Sequence, residues 1–195
     1  KDIDNDSPMN RLVEGDVGSG KTVVAAMAAI MVVESGQQVA FMAPTEILAR
    51  QHILTLQKAM EHTNYKNKIV LLVGSLSSKE KANIKDNIAS RDAKIVVGTH
   101  ALLEQDIKWG NLGLLIIDEQ HRFGVEQRQK ILKKSGTMPH VLCLTATPIP
   151  RTLALTIYGE LSISIINELP KQKASINTEI VSPNSLDQVF AKVKN

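Results

Sequence analysis

Short runs of apolar residues alternate with segments of helical periodicity along most of the chain. Residues 10–14, 38–42, 69–73, 95–97, 114–117, 141–144 and 163–166 read as strands. Helices are predicted over residues 21–34 and 46–60, and a third begins after Ser77, where Ser77 and Glu80 have the spacing of a capping box. Ile84 and Ile88 share one face of that third helix. The first helix is apolar nearly all round (Val23, Val24, Met27, Ile30, Met31), which predicts that it is buried. The strands are continuous in apolar residues instead of alternating. That pattern belongs to a parallel sheet covered on both faces, so the expected class is α/β, a mostly parallel sheet with helices on both faces. Ligands in such sheets bind at the carboxyl ends of the strands.

The texture changes after Leu169 and Pro170. Residues 171–173 are a polar Lys-Gln-Lys stretch, 176–181 could form a strand and 185–193 a helix. The expected division is a first domain over residues 1–169, then a linker and the start of a second domain over 170–195.

Composition narrows the function classes. The 195 residues suffice for one sizeable domain and part of another. No apolar run is long enough to span a bilayer and no basic-then-apolar leader follows Lys1, so no membrane partner and a cytoplasmic location are expected. The single cysteine, Cys143, lies in an apolar run and reads as a buried thiol. A net charge of +3 permits nucleic-acid binding without demanding it. Aromatic residues make up only 3% of the chain, too few for a base-stacking platform, so any nucleic acid would be held by its phosphates. The five histidines (His52, His62, His100, His121, His140) show no zinc-type spacing.

Gly15, Asp16, Val17, Gly18, Ser19, Gly20, Lys21 and Thr22 match the phosphate-binding pattern G-x-x-x-x-G-K-[ST] in full. The glycines let backbone N–H groups turn inward around phosphate oxygens, and the following helix adds its positive end. Lys21 would reach the β and γ phosphates of ATP, and the Thr22 hydroxyl would ligate Mg²⁺. A chance match is expected in roughly one chain in a hundred of this length. This one also falls between a strand and a helix, as the mechanism demands.

A second motif supplies acid. The apolar run 114–117 ends in Asp118 and Glu119, the form of a Walker B element. Asp118 would hold Mg²⁺ through its water shell, and Glu119 would orient and deprotonate the attacking water. Alone, the pair could equally cap a strand and begin a turn. The phosphate loop upstream favours the chemical reading.

Three further strand ends are rich in small and hydroxyl residues: Pro44-Thr45, Gly98-Thr99-His100 and Thr145-Ala146-Thr147. Such residues can donate to phosphate oxygens without steric conflict. Each by itself also reads as a helix cap or tight turn. No serine nucleophile with a partnered base accompanies them, which argues against acyl-transfer chemistry.

Taken in order, these motifs resemble those of superfamily 2 helicases. Asp118-Glu119-Gln120-His121 is similar to the DExH box, and the three strand ends to motifs Ia, Ib and III. Longer stretches, 9–12 leading into the phosphate loop, 42–52, 118–125 and 145–153, look like the RecG family. The related transcription-repair coupling factors share 145–153, whereas Gln120 and Glu46-Ile47-Leu48 look more like RecG. The resemblance covers residues from about Met9 to Pro170. It implies the first RecA-like lobe of an ATP-dependent bacterial helicase that remodels stalled forks and Holliday junctions, using ATP and Mg²⁺, in the cytoplasm at the nucleoid. Pro44, Thr45, Gly98, Thr99 and His100 would then grip branched or duplex DNA along its backbone. Thr145, Ala146 and Thr147, with His121, would couple nucleotide state to that grip. The family's glutamine motif and wedge domain are expected before Lys1, and its second lobe with an arginine finger after Asn195, so this piece alone should hydrolyse little ATP. Competing readings are a non-catalytic nucleotide-dependent binding module, against which Glu119 argues, and a transporter or signalling NTPase, against which Gln120-His121 and the three strand ends argue.

Overall fold

The computed structural model describes residues 3, 7–104, 106–118, 138–147, 161–168, 178, 180–182 and 189–192. In chain order the elements are β1 (Asn10–Gly15), α1 (Lys21–Glu34), β2 (Gln38–Met42), α2 (Glu46–Ala59), β3 (Ile69–Leu72), α3 (Ser78–Ala89), β4 (Ile95–Gly98), β5 (Leu112–Asp118), β6 (His140–Thr145) and β7 (Ser162–Ile166). The seven strands form one sheet in the order β3-β4-β2-β5-β6-β1-β7, and every pairing is parallel. The seven strands read from the apolar runs between residues 10 and 166 are all present, with ends shifted by at most two residues.

Alternate residues of each central strand serve opposite cores. Val39, Phe41, Leu114, Ile116 and Leu144 pack with α1 and α2. Ala40, Met42, Leu115, Ile117 and Cys143 pack with Ile88 of α3 and with Trp109 on the other face. Strands buried on both faces have no polar side to alternate with, which explains their continuous apolar sequence. The capping box at the start of α3 forms as expected: Glu80 N donates to Ser77 Oγ at 3.3 Å, and the Glu80 carboxylate accepts from Ser77 N at 2.9 Å.

One buried polar residue ties the amino edge of the sheet together. Gln38, fully buried, donates to the carbonyls of Ile88 at 2.9 Å and Ala93 at 2.8 Å. Its Oε1 accepts from Gly110 N and Asn111 N, both at 3.0 Å. The side-chain amide thereby joins the end of α3, the approach to β4 and the approach to β5, with its hydrogen-bonding capacity filled.

The expectation for α1 needs correction. Its buried residues are Ala25, Ala26, Ala29, Val32 and Val33, whereas Val23, Val24, Met27 and Met31 are exposed. The small alanines let the helix approach the sheet closely, and a helix lying on one layer can bury only one stripe. Val24, Ala28 and Met31 border an apolar groove of ≈ 390 Å³ floored by Val13, Leu142 and Ile166.

The possible strand at 176–181 also finds no support at the positions described, since 178, 180 and 181 carry no strand pairing and Ile180 is fully exposed. A strand needs a partner for its backbone groups. Residues 189–192 are helical, within the predicted helix 185–193, and the remainder of that helix and the linker lie outside the described residues. Among the described residues no helix is long and apolar enough to cross a membrane.

Candidate nucleotide and nucleic-acid site

Strand register brings the separate motifs to one edge. Asp118 of β5 pairs with Leu144 of β6, and Thr145 of β6 pairs with Glu14 of β1. On the other side of β5, Ile117 pairs with Met42 of β2, which in turn pairs with Gly98 of β4. Five adjacent strands thus end at nearly one level. Neighbouring strands lie about 4.8 Å apart, so the end of β5 and the start of the phosphate loop are separated by roughly 10 Å. Pro44-Thr45 and Gly98-Thr99 fall on one side of Asp118, the phosphate loop falls on the other, and Thr145 lies between Asp118 and that loop.

The phosphate loop takes the backbone shape that its sequence calls for. Gly18 and Gly20 have φ of 81° and 97°, the left-handed region that side chains disfavour. Ser19 N donates to Asp16 O at 3.1 Å, and Val17 N to Asp16 Oδ1 at 2.7 Å. Lys21 Nζ turns back onto the loop and donates to the carbonyls of Gly15 at 2.7 Å and Asp16 at 2.9 Å. Gly20 caps α1 without a side-chain hydrogen bond, and no acidic residue occupies the first turn. The positive end of α1 is therefore open to an anion. The Ser19 hydroxyl is buried with no partner among the described residues, a polar group of the kind a bound phosphate satisfies. Thr22 is the second residue of α1, half-buried.

Asp118 ends β5 with its side chain only 13% exposed. Its Oδ2 lies 2.7 Å from Nε2 of His52, a residue of α2 that is itself buried. The imidazole rests on Phe41 of β2, ring centroids 4.6 Å apart at 35°. Sequence reasoning missed His52. A signal existed: Ala49, His52 and Leu56 are the buried residues of α2, so the histidine stands on the apolar stripe, where a polar group needs a partner. Glu119, Gln120 and His121 lie outside the described residues.

Several residues of the other strand ends also hold local structure. Thr45 is the N-cap of α2, its hydroxyl accepting from Leu48 N at 3.3 Å, which leaves its O–H free to donate elsewhere. Glu46 accepts from Ser75 Oγ at 2.6 Å and from Arg50, and these bonds hold its carboxyl below the usual carboxylate pKa range. Gly98 is buried where a Cβ would meet the carbonyl of Leu72, so close strand packing alone demands glycine there. Thr99 precedes a short 3₁₀ turn, His100–Leu103, and makes no side-chain cap. His100 is exposed. Thr145, fully buried, exchanges hydrogen bonds with Thr147 two residues on, closing a tight turn around Ala146.

A parallel sheet with a phosphate loop after its first strand and a carboxylate at the end of a buried strand two places away defines a RecA-like α/β lobe of the P-loop type. The chain belongs to the DEAD/DEAH box helicase family, whose model matches residues 4–156. It is similar to the ATP-dependent DNA helicase RecG of Aquifex aeolicus, 47% identical over 195 residues that make up 100% of this chain and 24% of the relative. The RecG of Streptococcus pneumoniae is 48% identical over 97% of this chain and 27% of its own. Among solved structures, RecG bound to a three-way DNA junction aligns with a TM-score of 0.82 at 41% identity, covering 99% of this chain and 25% of that one. The Pyrococcus furiosus Hef helicase domain aligns with a TM-score of 0.60 at 26% identity, over 82% of this chain and 35% of that one. The chain spans about a quarter of the length of the RecG relatives it matches.

Proposed function

We propose that this chain is the first motor lobe of an ATP-dependent DNA helicase that remodels branched DNA in recombination and repair. The observation that carries the reading is the shared carboxyl edge, where the phosphate loop and the Pro44-Thr45 and Gly98-Thr99 segments flank one buried carboxylate, Asp118. The RecG relatives and the RecG–junction structure supply the substrate class by similarity.

In this reading the first-turn N–H groups of α1 and the loop backbone cradle the ATP phosphates. Lys21 leaves the loop carbonyls for the β and γ phosphates. The buried Ser19 hydroxyl would donate to a phosphate oxygen, and the Thr22 hydroxyl and the Asp118 carboxylate are the hard oxygen donors that suit a phosphate-bound Mg²⁺. The ion supplies charge neutralisation at the γ-phosphoryl group. Glu119 orients the attacking water and takes its proton. The Thr45 and Thr99 hydroxyls and His100 donate to DNA phosphates, while Thr145, Ala146, Thr147 and His121 relay nucleotide state to them. Residues 1–169 make up the lobe and 170–195 lead into a second lobe, whose arginine completes the ATP site, with a wedge domain engaging the junction elsewhere in the same protein. The protein works in the bacterial cytoplasm, at the nucleoid.

The test is ATP turnover with and without forked DNA. This chain alone should show no more turnover than its Lys21→Ala variant. The intact protein should show DNA-stimulated hydrolysis that Glu119→Gln abolishes while nucleotide binding persists. DNA-stimulated turnover by this chain alone would remove the requirement for a second lobe, and full hydrolysis by intact Glu119→Gln would remove Glu119 as the general base.

A further inference from the structure

His52 joins two parts of the edge that the motifs treat separately. It lies on α2, two turns after the Thr45 cap, and its Nε2 is 2.7 Å from Asp118 Oδ2. Both side chains are nearly removed from solvent, at 9% and 13% exposure. An ionised carboxylate can only accept, so Nε2 carries the proton and donates it. The face of Phe41 holds the ring in its plane of approach. Phe41 pairs with Ile116, two residues before Asp118 on the same face of β5, so strand, ring and carboxylate are locked as one unit.

We infer that His52 is a positioning residue for the Mg²⁺ carboxylate. Its N–H occupies Oδ2 of Asp118 and fixes the carboxylate rotamer, so that Oδ1 would remain available to hold the ion through its water shell. Partners that orient a metal-holding carboxylate commonly change metal affinity by about 10- to 100-fold when removed. The same bond makes α2 a mechanical link: a shift of the Thr45 end against DNA moves the histidine that holds Asp118. The inference rests on the reading of Asp118 as the Mg²⁺ residue.

The experiment titrates Mg²⁺ into the intact protein with a fluorescent non-hydrolysable ATP analogue and reads the Mg²⁺ concentration at half-maximal binding. His52→Leu should raise that concentration by about tenfold while leaving analogue binding in EDTA unchanged. His52→Gln, which keeps an N–H donor at similar reach, should restore most of the loss. Adding His52→Leu to Asp118→Asn should produce no further change, because the two act through one bond. A normal Mg²⁺ requirement in His52→Leu, with Asp118→Asn impaired, overturns the role of His52 alone. A normal requirement in both overturns it together with the Mg²⁺ assignment of Asp118. Equal impairment of His52→Gln and His52→Leu, with loss of binding in EDTA, overturns positioning in favour of general damage to the fold.

Discussion

The Lys21 ammonium donates to the carbonyl oxygen of Gly15 at 2.7 Å, so the residue expected to grip phosphate holds its own loop instead. A second bond, to Asp16 O at 2.9 Å, completes the arrangement. An arriving nucleotide must replace two neutral acceptors with charged ones, an exchange that favours binding because charge-assisted hydrogen bonds are stronger. Lys21→Ala removes both the loop contacts and the phosphate contacts. Nucleotide affinity should fall by about 10- to 100-fold, equivalent to roughly 1.5–3 kcal/mol, in a fluorescence titration with Mg-ATP analogue.

Gln38→Leu should be among the most destabilising single changes in the lobe. The replacement strands the carbonyls of Ile88 and Ala93 and the N–H groups of Gly110 and Asn111 in a fully buried site. The cost should be at least roughly 3 kcal/mol. Thermal unfolding should shift down by about 6–12 °C, with nucleotide affinity unaltered below the transition because the site is at the opposite edge of the sheet.

Gly98 and Thr99 adjoin in sequence but should separate cleanly by experiment. Gly98→Ala pushes a methyl group into the Leu72 carbonyl and should cost about 1–3 kcal/mol of stability. Thr99 makes no cap hydrogen bond, so Thr99→Ala should leave stability within about 0.5 kcal/mol. Its loss should weaken DNA binding by the intact protein about 2- to 10-fold, the value of one phosphate hydrogen bond. Unfolding curves beside DNA titrations at one fixed salt concentration distinguish the two effects.

A pH effect is expected at the start of β6. Met9 N donates to His140 Nδ1 at 2.9 Å, which requires the neutral imidazole. Burial holds this group's pKa below the ordinary value of 6.5. The unfolded chain therefore takes up a proton that the folded chain refuses, and stability falls as pH drops below about 6.5 toward the lowered folded value. His140→Asn offers Oδ1 in place of Nδ1 and does not titrate, so it should flatten the dependence. Midpoints of thermal unfolding between pH 7.5 and 5.5 provide the comparison, and equal slopes in both proteins would exclude His140 as the source.

The reach of the sequence differed from element to element for physical reasons. The strands were legible because full burial on two faces leaves an uninterrupted apolar run. The Ser77–Glu80 box was legible because its partners are three residues apart. The buried face of α1 is not legible, because hydrophobicity alone ranks Val23, Met27 and Met31 above alanine, whereas Ala25, Ala26 and Ala29 are what allow close contact with the sheet. The partners of Gln38 and His52 are not legible in the sequence, because each is satisfied by groups tens of residues away; only the place of His52 on the apolar stripe of α2 shows that it needs one.

By itself the sequence determined the α/β class, the positions of the seven sheet strands and of α1 to α3, the glycine-rich turn between β1 and α1, and the acidic end of β5 at Asp118. These depend on local periodicity and on motifs whose members are adjacent in the chain. Only the tertiary structure decided that Gly98, Met42, Asp118, Thr145 and Gly15 end side by side, because strand order is set by crossovers that periodicity does not encode. It also decided that a histidine from α2 meets the carboxylate of β5, since burying a polar ring on an apolar helix stripe is tolerated only where the fold supplies a partner.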